Sequence, residues 1–323
     1  MRNTVHHLAL LLIGLCAASM AAAQTEIKIP TLIRIVVPFS AGGSNDVIAR
    51  VIAPSLARRL GTAVVVDNKP GAGGVIGADA VAKASPDGSV LLLTSSSFLT
   101  ATATLPKVPY DTLGSFVPVA MVAEGPLLLA VSASSPYKSP AELFATARAR
   151  PGVITYGSAG VGSVAQMATE MMNDAARVSM LHVPYKGASN ALIDLAAGQI
   201  DVMVTNYSTV VSQIRSGKIR PLGVTSLKPN PTFPDLPPVS ASAPGFAIDI
   251  WVGVFAPAGT PAALVQRLNR EINEISTSPE VRIPLDPDGA LPASMTPAAF
   301  AARVKDDLAL WKRIATDKKI VAE

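Results

Sequence analysis

The apolar, β-branched run Ile33–Val37 ends at Pro38, passes through Ser40-Ala41-Gly42-Gly43 and enters Ser44-Asn45-Asp46, residue types that favour helix starts. Val47, Ile48, Val51 and Ile52 then recur at helical spacing. The same order returns later in the chain. Val153–Tyr156 reads as a strand, Gly157–Ser163 as a glycine loop, and a helix follows to about Asp174. Ser40-Ala41-Gly42 corresponds to Ser158-Ala159-Gly160, and Lys69-Pro70-Gly71 to Lys186-Gly187. Each loop has further units around it. The first set continues with a strand at Ala63–Asp67, the loop Gly71–Gly74, a helix at Val75–Ala84 and a strand at Val90–Thr94 before Ser95-Ser96-Ser97. The second continues with strands at Met180–Val183 and Ile200–Val204 around a helix near Ser189–Ala197, and ends at Thr205-Asn206. Strands alternating with helices call for parallel sheets, so two such sets predict two similar α/β lobes.

Two stretches join the sets. Val117–Val131 is a pair of strand-like runs broken at Glu124-Gly125-Pro126, and Asp249–Ala256 is another strand before Pro257. Both read as crossings between lobes. The second returns the chain to the first lobe, where Pro261–Ile275 and Pro297–Asp317 add helices, while proline-rich Asn230–Pro238 reads as an irregular connector. The expected division is residues 24–124 plus 251–323 for lobe 1 and 125–250 for lobe 2. In open α/β sheets ligands bind beyond the carboxyl ends of the strands. The loops Ser40–Gly43, Gly71–Gly74, Ser95–Ser97, Ser158–Ser163 and Thr205-Asn206 all sit there. Two lobes would gather them around one cleft that a hinge can close.

Composition narrows the chemistry. Residues 1–23 read as a cleavable signal peptide: Arg2, an apolar core Leu8–Ala18, and Ala21-Ala22-Ala23 before Gln24. The apolar run is too short to span a bilayer. Leu15 stands before Cys16, where lipid attachment needs a small residue, so a soluble exported protein is expected. Removing the signal takes away the sole cysteine and two of the 3 histidines, leaving His182. That excludes Cys/His zinc or copper sites, and neither metal nor cofactor is expected. The net charge of +4 is scattered, which argues against nucleic acid. Gly71-Ala72-Gly73-Gly74-Val75-Ile76 fails the dinucleotide pattern at Ile76, and neither Ser158 nor Ser163 lies in G-x-S-x-G. A serine hydrolase would have to use Ser40 or Ser158 with His182, which sits inside an apolar strand as a structural residue. Asp46 reads as a helix-start acid, Tyr156 and Tyr185 as packing residues, and Met167, Met171 and Met172 as core. What remains is a cleft of glycines and hydroxyls with few charges, suited to an anion held by neutral donors.

These residues also carry a family resemblance. Pro38–Arg50 (PFSAGGSNDVIAR), Asn68–Gly74 (NKPGAGG) and Tyr156–Ser163 (YGSAGVGS) resemble three signatures of the Bug-type receptors, the extracytoplasmic solute-binding proteins of tripartite tricarboxylate transporters. Val183–Gly187, Gly198–Asp201 and Phe255–Pro261 extend the likeness over the mature chain. The resemblance implies a type II periplasmic binding fold, two lobes with mixed sheets joined by two crossover strands. It implies a monomer in the periplasm that captures a small organic carboxylate and delivers it to membrane permease subunits. The positions it marks for the cleft are Phe39, Ser40, Ala41, Gly42, Gly43, Ala72 and Gly73 in lobe 1, and Ser158, Gly160 and Ser163 in lobe 2. The strand-end residues Ser95, Ser96, Thr205 and Asn206 join them, as does Gln166. Two departures stand out. Gln166 replaces a frequent histidine, and Thr205 a frequent aspartate that would answer a ligand ammonium. Amino acids are thereby disfavoured; di- or tricarboxylates and aromatic carboxylates such as terephthalate stay open. The competing functions are an exported serine hydrolase and a binding-protein sensor for a signalling partner.

Overall fold

The computed structural model describes residues 27–322. The expected signal segment lies outside them. The chain runs through β1 (Leu32–Val37), α1 (Ser44–Leu60), β2 (Ala63–Asn68), a 3-10 turn at Ala72–Gly74, α2 (Val75–Ala82), β3 (Val90–Ser95), α3 (Ser97–Thr104) and β4 (Phe116–Pro126). It continues through β5 (Leu128–Ser132), α4 (Pro140–Ala149), β6 (Thr155–Ser158), α5 (Val164–Ala176), β7 (Leu181–Pro184), α6 (Ala188–Ala196), β8 (Val202–Thr205), α7 (Tyr207–Arg215) and β9 (Ile219–Val224). It returns as β10 (Asp249–Pro257), α8 (Ala262–Ser276), α9 (Pro279–Leu285), β11 (Leu291–Pro292) and α10 (Pro297–Asp317). One sheet has the order β11-β4-β10-β3-β1-β2 and the other β7-β6-β8-β5-β9. Both are mixed: β1, β2 and β3 are parallel, as are β6, β7 and β8, while β10 and β5 run against their neighbours.

The apolar runs make these strands because both faces are covered. In lobe 1, Ile33, Ile35 and Val37 face α1 and α8, and the alternate Val36 and Leu92 face a second core with Phe98, Phe255 and Phe300. That second core does not stop at the lobe boundary. It runs through Leu127 and Trp251 to Leu129, Tyr156 and Met167 of lobe 2. Leu128 and Ala130 turn the other way, onto α6 and α7.

The two crossings are neighbours. β4 and β10 pair antiparallel from Phe116 with Pro257 to Pro126 with Asp249. Arg303 of α10 binds Glu124 of β4 at 3.1 Å, Asp307 at 2.9 Å and the Asp249 carbonyl of β10 at 3.4 Å. The Trp251 indole N–H donates to Asp307 at 2.8 Å. Away from this hinge the lobes are joined by further hydrogen bonds and ion pairs, among them Asn230 Nδ2 to the Gly289 carbonyl at 2.8 Å. Asp288 accepts the Ser208 amide at 2.6 Å, and Lys318 pairs with Glu170 at 3.7 Å and with Asp174.

Several elements differ from expectation. Gly157 and Ser158 belong to β6 rather than to the loop, because Gly157 pairs with Val183 and Met203 and its missing Cβ leaves room for Ile200 and Ala191. α3 was hidden in a threonine-rich stretch of low helix propensity. It forms because Phe98 and Leu99 are buried and Thr102 and Thr104 return their hydroxyls to the Phe98 and Thr100 carbonyls. The first crossing breaks at Leu127, one residue after Glu124-Gly125-Pro126.

Gly77 sets the depth of α2 beneath the first two glycine loops. A Cβ there would lie 2.8 Å from both the Lys69 carbonyl and Pro38 Cα, which are backbone atoms. Gly77→Ala is therefore expected to destabilise the protein by about 1–3 kcal/mol. Urea denaturation checks this; an unchanged midpoint would show that the two loops are not seated on this contact.

Candidate functional site

The first loop is held from behind by Asp46. This carboxylate, 3% exposed, accepts the Gly42 amide at 2.8 Å, Arg50 Nε at 3.0 Å and Asn68 Nδ2 at 3.0 Å. The Arg50 hydrogen bond leads in holding its pKa down to about 2, against the opposing effect of burial. Asn68 also donates to the Phe39 carbonyl at 3.1 Å. Asp46 thus acts at the helix start, and its charge is used inside lobe 1. Gly42 itself has φ +86, a conformation that only glycine adopts without strain. Next to Asp46, Asn45 Nδ2 donates to Ser95 Oγ at 3.4 Å, and Ser95 Oγ meets Ser97 Oγ at 2.8 Å. This short polar chain floors the lobe 1 side of the cleft.

The third loop is held by a different chain. The Gly162 amide donates to Gln166 Oε1 at 2.8 Å, which fixes the amide with its nitrogen toward His182 Nδ1 at 3.0 Å. An amide nitrogen can only donate, so Nδ1 accepts and the imidazole proton sits on Nε2. That N–H reaches Ser158 Oγ at 2.7 Å, and the serine hydroxyl passes its own proton to the Gly160 carbonyl at 3.0 Å. The Gly160 amide closes the ring on Ser158 Oγ at 3.1 Å. Ser158 and His182 do meet, as a hydrolase would require, but with the wrong tautomer: Nε2 carries a proton and cannot take one from the serine. Ser158 is also 0% exposed. Its hydroxyl, expected from sequence to face Ser40–Gly43 as a ligand donor, is committed inside lobe 2; its role there is to fix the loop. His182 stacks on Tyr156 with ring centroids 4.8 Å apart, and Tyr156 donates to Glu170 at 2.5 Å.

Between the lobes lie two adjoining cavities that share Ser95, Ser97, Asn206 and Ile250. The smaller, about 230 Å³, has no Lys, Arg, Asp or Glu in its lining. Four helices begin at it: α3 at Ser97, α5 at Val164 and Ala165, α6 at Ala188, and α7 just after Asn206. First-turn amides have no partner within their helix and carry the positive end of its dipole. The larger cavity, about 640 Å³, runs along Gly42-Gly43 and the start of α1 to the hinge and α9. Of the residues singled out in sequence, Phe39, Gly42 and Gly43 line the larger cavity, Ser95 and Asn206 both, and Ser96, Ser163 and Thr205 the smaller. Ser40, Ala41, Ala72 and Gly73 are exposed and line neither; Gly160 lies outside both, and Ser158 and Gln166 are buried behind the loop. Ser97, within the expected cleft loop Ser95–Ser97, lines both cavities, whereas sequence reasoning missed Asn45, Glu124 and Asp288. Asn45 was visible as a helix-start residue, whereas Glu124 and Asp288 reach the cleft only through tertiary packing. Among the described residues no three His, Cys, Asp or Glu side chains are grouped to hold a metal, and no helix is long and apolar enough to cross a membrane.

Burial lowers the His182 pKa below its usual 6.5, and the Gln166 amide, which offers no acceptor to Nδ1, favours the same neutral form. The unfolded chain therefore binds this proton before the folded one. The His182 contribution to stability is full above about pH 6.5 and falls as pH drops toward the folded pKa. Gln166→Glu supplies a carboxylate to Nδ1 and should move the imidazole proton there and raise the pKa. Nitrogen NMR of His182 checks both; an Nδ1–H tautomer in the unsubstituted protein would refute the bonding order.

Comparison with known proteins identifies the family and the fold. The family described as "Tripartite tricarboxylate transporter family receptor" matches residues 48–320. Protein BugT of Bordetella pertussis is 37% identical over 313 residues, 96% of each chain. The structure of R. palustris Rpa4515 with adipate superposes with a TM-score of 0.77 at 33% identity, covering 91% of this chain and 99% of that one. MatC (Rpa3494) from Rhodopseudomonas palustris, with bound malate, gives a TM-score of 0.72 at 32% identity, covering 88% and 98%. The chain belongs to the tripartite tricarboxylate transporter receptor family, as a two-lobed solute-binding protein of the Bug type.

Proposed function

We propose that this protein is exported with loss of residues 1–23 and works in the periplasm as a monomer, capturing a small organic carboxylate between its lobes and delivering it to transporter permease subunits without turnover. The observation that carries this is the smaller cavity, where four helices start and no charged side chain intrudes. A carboxylate there meets backbone amides and the Ser97, Ser163 and Thr205 hydroxyls. Each such bond to a charged group contributes about 1.5–3 kcal/mol. The body of the ligand lies along Gly42-Gly43 in the larger cavity. Relatives solved with adipate and malate support the ligand class. On this reading residues 24–124 with 251–323 form one jaw and residues 125–250 the other.

A thermal-shift screen over carboxylates is the direct test, because a ligand at about a hundred times its dissociation constant adds about 2.7 kcal/mol of stability. Gly43→Val should abolish the shift. Gly43 has φ −75 and a Cβ would meet only the Ser40 carbonyl, at 3.5 Å, so the backbone accepts a side chain here, and a circular dichroism melt of the variant checks that the fold is kept. Lys186→Ala, on an exposed turn, should bind as the parent protein does. Normal binding by Gly43→Val with none by Lys186→Ala would place the anion elsewhere.

A further inference from the structure

The two cavities differ in charge, and the difference selects among carboxylates. This inference rests on the receptor reading above. The larger cavity has an apolar wall from Val47, Ile48, Ile250, Trp251 and Leu285, and the charged side chains in its lining are both acids, Glu124 and Asp288. Neither acid is freely neutralised. Glu124 shares Arg303 with Asp307, and Asp249 adds a third carboxyl beside them. Burial first, and Glu124 next, push Asp249 up to about 6, while Arg303 opposes them. Asp288 accepts the Ser208 amide at 2.6 Å. It thereby occupies a first-turn donor of α7 that a second ligand carboxylate would otherwise use. An anionic group at the far end of this cavity would face two carboxylates, with the Ser208 amide already bound to one of them.

We propose that the ligand is a monocarboxylate with an apolar body: its carboxylate sits in the smaller cavity, its body against Trp251 and Ile250, and Asp288 and Glu124 exclude a second carboxylate at the far end. Calorimetric titration with matched acids tests this, using straight-chain and aromatic pairs such as hexanoate with adipate and benzoate with terephthalate. In the unsubstituted protein the monoacid of a binding pair should have a dissociation constant at least about tenfold below that of its diacid, which is about 1.4 kcal/mol. Asp288→Asn keeps an acceptor for Ser208 while removing the charge, and should narrow the gap by improving the diacid. Diacids that bind as tightly as their monoacids, or tighter, overturn the selectivity and leave the receptor reading intact. So does a gap that Asp288→Asn and Glu124→Gln leave untouched, since other groups would then set it. Absence of heat from every acid, in protein shown to be folded, overturns the carboxylate reading itself.

Discussion

The antiparallel pairing of β4 with β10 is the bond on which both lobes depend. Each passage of chain between the lobes is one strand of this ladder, so neither can move without the other. Sliding one strand by a residue would turn its buried face outward, which the cores on both sides forbid. Bending at Leu127 and just before Asp249 is the remaining freedom. Arg303 reaches the Glu124 side chain on one strand and the Asp249 carbonyl on the other, and so reads the state of both. The apolar core that runs through Leu127 and Trp251 makes the same join from beneath.

The smaller cavity is lined by groups that carry no formal charge. Helix starts contribute partial charges at fixed positions, and they are strongest where water is sparse. Behind the loops, the Asp46 carboxylate ties the first loop to Asn68, and the neutral Gln166–His182–Ser158 chain ties the third. The two devices differ chemically but do the same work. Each turns a flexible glycine segment into a surface with a defined direction for its amides.

Much of this architecture was legible in the sequence. Period, turn residues and the repeated strand–loop–helix order located β1 to β3, α1 and α10 with little error, because those elements follow local rules. The α3 helix was not legible, since Ser97–Thr104 is helical by burial of Phe98 and Leu99 rather than by propensity. Within the site, residues at strand ends and helix starts were visible as types: Gly42, Gly43, Ser95, Ser163 and Asn206 all line a cavity. Ser158 shows the limit. A hydroxyl in a glycine loop looks available until the fold supplies a histidine 24 residues away as its partner. Asp288 shows the converse, an unremarked turn acid that packing brings to the far end of the cleft.

The position of β10 has a consequence for how the chain must be assembled. It lies in the middle of its sheet, between β3 and β4, yet it is made after the whole of lobe 2. Until Asp249–Pro257 has been synthesised, β3 and β4 have no shared partner and each presents an open edge. Closing the sheet brings Val252 to Ser95 across the entire intervening lobe, a non-local step of the slow kind. The β1–β3 unit can form early, but the six-stranded sheet cannot close on a nascent chain. A protein built this way stays incomplete until about its last quarter is present, so the order of synthesis, and not only the final packing, decides when the two lobes become one body.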